Sequence, residues 1–109
     1  MGDSIGEFEK LLLLAVLRLG DGAYGAAIID ELVERTGREV SPGAVYVSLR
    51  RLEDKGMLRS NIGEPTPARG GRAKRYYQVR RDALVALRAA REQWDAMVDG
   101  LDAELEFEG

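Results

Sequence analysis

The stretch Ser41-Pro42-Gly43-Ala44-Val45-Tyr46-Val47-Ser48-Leu49-Arg50-Arg51-Leu52-Glu53-Asp54-Lys55-Gly56 decides how this chain folds. Ser41 is a natural N-cap, and Pro42 fits the first helical position, where its missing N–H is no loss. Val45, Leu49 and Leu52 follow at i, i+4 and i+7 as a core stripe, and Gly56 closes the helix. At 100° per residue the opposite side carries Gly43, Val47, Arg50, Arg51 and Asp54, with Ala44 and Tyr46 on the flanks. One face is therefore apolar and inward, and the other is small, polar and basic.

Upstream, two more helices are expected. Ser4-Ile5-Gly6-Glu7 has the spacing of a capping box and opens a helix from Ser4 to Leu19. Its apolar residues, Phe8, Leu11, Leu12, Leu14, Ala15, Val16 and Leu19, cover most of the circumference, so it is expected to be buried on several sides. After a turn at Asp21-Gly22, a second helix runs from about Tyr24 to Thr36 on Tyr24, Ile28, Ile29, Leu32 and Val33, with Gly37 as a left-handed stop.

Downstream the period changes to two. Leu58 to Ile62 and Arg75 to Val79 read as short strands, with Tyr77 and Val79 on one face and Tyr76 and Gln78 on the other. The Pro/Gly-rich segment between them is a loop with Arg69 and Arg72 near its tip. A last helix, from Arg81 or Asp82 to near Leu105, carries Leu87, Ala90, Trp94, Met97 and Leu101 at spacings of three and four, supported by Leu84, Val98 and Leu105. Gly100 is a point where it can fray or bend.

The expected fold is mainly α: a winged helix-turn-helix of three helices and a two-stranded β-wing (residues 1–80), then a long C-terminal dimerisation helix (residues 81–109). The second and third helices form the helix-turn-helix, and the hairpin is the wing.

Composition narrows the function. Among 109 residues there is no Cys and no His, which removes thiolate chemistry, imidazole acid–base catalysis and the usual zinc ligands. Asp30–Glu31 and Glu53–Asp54 are sequence neighbours and point to different sides of a helix, so no acid and base face each other. Neither an enzyme nor a cofactor is expected. The longest apolar run, Leu11 to Leu17, is far below the roughly 20 residues of a membrane span, and no cleavage site follows it. A cytoplasmic protein without membrane association is expected.

The net charge of −3 hides an asymmetry. Residues 41–81 hold ten basic and three acidic side chains, a net +7, which leaves −10 for the rest. A basic middle between acidic ends suits a polyanion-binding surface. The candidate contacts with double-stranded DNA are Ser41, Gly43, Ala44, Tyr46, Val47, Arg50 and Arg51 of the third helix, and Arg69, Arg72 and Lys74 of the wing. Gly43 and Ala44 permit close backbone approach, while Arg50 and Arg51 can reach phosphates or pair with guanine. Tyr46 reads equally as a DNA contact or as a flank-packing aromatic.

These residues resemble a known family. Gly6-Glu7-Phe8-Glu9 into Leu11–Leu14, Ala23-Tyr24-Gly25, Val40-Ser41-Pro42-Gly43-Ala44-Val45-Tyr46, Leu49 through Gly56, and Arg69-Gly70-Gly71-Arg72-Ala73-Lys74-Arg75-Tyr76-Tyr77 are similar, in consistent order, to PadR-type transcriptional regulators. The resemblance spans roughly Gly6 to Val79. It implies a winged-helix dimer, in most members a repressor that releases DNA when a small molecule binds, with Tyr46 and the basic wing at DNA-contact positions. The single C-terminal helix resembles the compact branch of the family, in which it builds the dimer. Arg80-Arg81-Asp82-Ala83 departs from the Thr-Pro-x-Gly turn common there.

The stripe Leu87, Trp94, Met97, Val98 and Leu101 has no cover within its own domain. Homodimer packing is its expected role, and Trp94 is also a candidate wall of a pocket for a small aromatic effector. The competing reading is a winged helix that recognises only protein, with an acidic partner on the basic face. A Tyr or Lys base in an enzyme has no supporting constellation.

Overall fold

The computed structural model describes residues 5–64 and 73–106. Its local chemistry is clearest at helix α3 (Pro42–Asp54). Ser41 Oγ accepts the Ala44 N–H at 3.3 Å, and Pro42 opens the helix. At the far end the Gly56 N–H donates to the Glu53 carbonyl (3.0 Å) and the Met57 N–H to the Leu52 carbonyl (2.8 Å). This paired arrangement is a Schellman close, and it turns the chain into the wing.

Helices α1 (Glu7–Leu19) and α2 (Gly25–Thr36) precede α3, separated by a 3-10 turn at Gly20–Gly22. Strands β1 (Leu58–Ile62) and β2 (Arg75–Val79) form an antiparallel pair in which Leu58 faces Val79 and Ile62 faces Arg75. Helix α4 (Arg81–Val98) follows, then a single turn, α5 (Asp102–Leu105). The expected winged helix-turn-helix is present, with both strands at the expected boundaries.

Helix α1 packs against α2, α3 and β2. Leu12, Leu13, Ile28, Val45, Leu49, Leu52 and Leu58 are its fully enclosed centre, joined by Tyr77 from the wing and Ala83 from α4. The inward stripe of α3 is thus the one its spacing predicts. Lys55 reinforces this packing by donating to both oxygens of the buried Glu9 (2.9 and 3.2 Å), tying the end of α3 to the start of α1.

Three details correct or refine these expectations. Helix α1 starts at Glu7 with Gly6 as its N-cap, and the carboxylate that reaches back to the Gly6 N–H belongs to Glu9 (3.0 Å), not Glu7. Ser4 lies outside the described residues. Secondly, α1 is buried on several sides as expected, yet Leu14 and Leu17 are each left 44% exposed. Thirdly, α4 stops at Val98 instead of running to Leu105. Gly100 takes φ +85°, the left-handed region that ends a helix, so Leu101 sits beyond the break and off the face shared by Leu87 and Trp94.

Candidate nucleic-acid interface

The outward side of α3 carries Gly43, Ala44, Tyr46, Val47, Arg50 and Arg51, all exposed. Neither Arg50 nor Arg51 has a carboxylate within ion-pair distance among the described residues, although Glu53 and Asp54 share the helix. Both side chains are exposed, but they point different ways: Arg50 lines the cleft beside the wing, and the Arg51 charge acts on Glu9 of α1. A Cβ at Gly43 would meet only Ser41 Oγ at 3.7 Å, so no packing demand of the fold requires glycine there.

Tyr46 is half-exposed, and its ring lies on the first turn of α2. A Cβ at Gly25 would stand 2.7 Å from Tyr46 Cζ, so this close approach needs glycine. Sequence spacing placed Tyr46 on a flank; the contact with Gly25, a long-range one, lies beyond what spacing reveals.

The wing is fastened to the start of α2. Tyr24 makes a single antiparallel bridge to Tyr76, and the Tyr77 N–H donates to the Ala23 carbonyl at 2.8 Å. The Tyr24 and Tyr76 rings meet edge to face at 5.8 Å. Lys74, the wing lysine expected to meet DNA, is half-buried with its Nζ 4.0 Å from the Tyr24 ring centre. Arg69 and Arg72 lie outside the described residues.

On the other face of the wing, an open cleft of about 420 Å³ separates it from α3. Tyr46, Arg50, Glu53, Asp54, Arg75 and Tyr77 line it. The Ser60 hydroxyl donates to Glu53 Oε2 at 2.8 Å and accepts from Arg75 Nη1 at 2.8 Å, linking helix and both strands. Burial, and then the charge of Glu53, push the Tyr77 phenol above its ordinary range, so it is uncharged near neutral pH.

A second surface lies away from α3. Leu11, Leu14 and Leu17 of α1 and Leu84, Leu87 and Trp94 of α4 form an open apolar groove of about 810 Å³, with Lys10, Arg88 and Arg91 at its rim. Trp94 is 70% exposed and Met97 78%. Of the predicted stripe, Leu87 and Trp94 line the groove, Met97 is fully outside it, Val98 is half-buried, and Leu101 is exposed past the break. Spacing counts Leu14 among the enclosing apolar residues of α1 and does not reveal that it and Leu17 face this groove.

Among the described residues there is no acidic, His or Cys group that could hold a metal ion, and no helix long and apolar enough to cross a membrane.

Three helices, a two-stranded wing pinned to the second helix, and a solvated basic face on the third define a winged-helix protein of the DNA-binding kind. The chain belongs to the transcriptional regulator PadR-like family, whose model matches residues 13–85. It is 29% identical to a PadR family transcriptional regulator from Eggerthella lenta, with a TM-score of 0.68 over 94% of this chain and 88% of that one. The fold is shared with a PadR-like regulator from Bacillus cereus (19% identity, TM-score 0.72, 93% of each chain). It is shared too with F93 from STIV, described as a winged-helix DNA-binding protein (16% identity, TM-score 0.64, 84% and 90%). The transcriptional activator GvpE of Haloferax mediterranei is 36% identical over 56 residues, 51% of this chain and 29% of that relative. That match spans less than a third of the relative's length. The family and the relatives from Eggerthella lenta, Bacillus cereus and Haloferax mediterranei are regulators of transcription, not enzymes.

Proposed function

We propose that this chain acts as a homodimer on a pseudo-palindromic operator, as a repressor that a small aromatic effector releases. The observation that carries the DNA-contact assignment is the pair Arg50 and Arg51, exposed on α3 opposite its core stripe and free of carboxylate partners among the described residues. Each α3 enters a major groove through Ser41, Gly43, Ala44, Tyr46 and Val47, while Arg50 and Arg51 take phosphates or guanine. The wing, with Arg69, Arg72 and Lys74, follows the adjacent backbone or minor groove.

Residues 81–109 serve as the dimerisation element of a DNA-binding unit formed by residues 1–80. Leu87 and Trp94 line an apolar groove with the exposed Leu14 and Leu17, a face suited to a second copy that Met97, Val98 and Leu101, outside the groove, would extend. Two-fold symmetry then sets half-sites about one helical turn, roughly 34 Å, apart. An effector stacked on Trp94 at the seam changes the separation of the two heads and weakens DNA binding. Two relatives of part of this chain are named activators, so repression is read from a promoter fusion rather than from likeness.

The test is a titration against the DNA upstream of the protein's own gene, with excess nonspecific competitor and at several salt concentrations. Tight, competitor-resistant binding that weakens steeply with salt supports the reading. Binding that is weak and lost to competitor at every salt concentration favours a winged helix that recognises protein.

A further inference from the structure

A chain of hydrogen bonds across three elements ends on an arginine with most of its donors unengaged. Glu53 of α3 accepts from the Ser60 hydroxyl of β1 at 2.8 Å, and Ser60 Oγ accepts from Arg75 Nη1 of β2 at 2.8 Å. Arg75 stands opposite Ile62 in the ladder, while Ser60 stands opposite Tyr77. The guanidinium therefore reaches back diagonally along the sheet instead of extending from its own register position. This draws it onto the side facing α3, where it lines the same cleft as Arg50 and Tyr46.

A guanidinium that only braced the wing would gain most from pairing directly and bidentately with Glu53. Here a hydroxyl is interposed. Arg75 has no carboxylate within ion-pair distance among the described residues, is exposed, and uses one of its five N–H donors in the Ser60 bond. Its direction is fixed while its charge is left for an anion.

We propose that Arg75 is a DNA-backbone contact, with Ser60 and Glu53 as the positioning residues that aim it at a phosphate beside α3. The inference rests on the DNA-binding reading above and adds a wing residue set by geometry to those drawn from the basic loop.

The probe is a labelled mixed-sequence DNA duplex of about three helical turns, followed by fluorescence anisotropy across a salt series, because phosphate contacts do not depend on sequence. Arg75→Gln is expected to weaken binding roughly tenfold and to reduce the slope of log K against log salt by about 0.9 for each bound chain. Ser60→Ala is expected to weaken binding roughly threefold with the slope unchanged, and to have no effect in an Arg75→Gln background. Ser60→Thr, which keeps the hydroxyl, should bind as the parent does. Arg75→Lys keeps the charge, so it should keep the slope while losing the dependence on Ser60.

A parental slope in Arg75→Gln overturns the proposal, and so does a Ser60→Ala effect that persists undiminished without Arg75. Failure of the parent chain itself to bind in a salt-dependent way would overturn the DNA-binding reading and this inference together, which separates the two failures. Circular dichroism of each variant checks that the substitutions at exposed Arg75 and half-buried Ser60 leave the fold intact.

Discussion

The Tyr46 ring rests on the backbone of Gly25, so closely that a Cβ there would stand 2.7 Å from Cζ of the tyrosine. This contact joins the first turn of α2 to the outward side of α3 and sets the height at which the phenol is presented. The far end of a half-exposed side chain yields easily, and alanine is a better helix former than glycine by about 1 kcal/mol. Gly25→Ala is therefore expected to melt within a few degrees of the parent while displacing Tyr46. DNA affinity should fall about as far as in Tyr46→Ala, roughly tenfold for a polar contact of about 1.4 kcal/mol. Full affinity in Gly25→Ala, measured in the same titration as Tyr46→Ala, would remove Tyr46 from the interface.

The Glu9–Lys55 pair makes stability depend on acid. Burial alone would raise the Glu9 carboxyl, but the Gly6 N–H, the Lys55 ammonium and the more distant charge of Arg51 together hold it below the ordinary value of 4.5. A carboxyl depressed in the folded state adds stability that is complete above its unfolded value and lost as pH falls through the folded one. Thermal melts should therefore hold steady above about pH 5 and drop progressively below pH 4.5. Glu9→Gln should cost about 1–2 kcal/mol at pH 7 and flatten that acid limb. An acid limb as steep as the parent's would show that other carboxylates control it.

Self-association through the α1–α4 groove has a built-in reporter, because Trp94 is the sole tryptophan of the chain and is 70% exposed in the monomer. Dilution should shift its emission to the red as the dimer separates. Leu14→Glu and Trp94→Glu should each weaken the dimer by about 2 kcal/mol or more, some thirtyfold in Kd, by sedimentation velocity. Neither side chain belongs to the enclosed core, so both variants should remain folded. Dimers of unchanged strength would place the contact elsewhere.

The features legible in the sequence are those decided within a few residues. The start of α3 is written in Ser41 and Pro42, its end in Gly56, and its two faces in the spacing of Val45, Leu49 and Leu52 against Arg50 and Arg51. Ambiguity arises where two local solutions compete. Glu7 and Glu9 both lie three residues after a possible cap, and only the packing of Glu9 against Lys55 selects Gly6. The leucine spacing continues through Gly100 to Leu101, yet Gly100 takes a left-handed φ, and a Cβ there would meet nothing within 4 Å among the described residues. Contacts between distant segments leave no periodic trace. The seat of Lys74 on Tyr24, the Tyr24–Tyr76 bridge and the Glu53–Ser60–Arg75 chain all depend on the wing folding back over α2 and α3. In the same way, an apolar side chain on α1 is not distinguishable by type as core or interface, and Leu14 and Leu17 lie on the uncovered side.

DNA reading by the exposed face of α3 is checked by comparing the parent with an Arg50→Ala/Arg51→Ala double variant. The measurement is operator binding over a salt series, with circular dichroism and melting as controls. Both side chains lie off the core stripe, so the variant should melt as the parent does, yet lose specific binding and as much as about 1.8 in salt slope per chain if both contacts are phosphates. A folded double variant that binds the operator with parental affinity and slope would contradict the account.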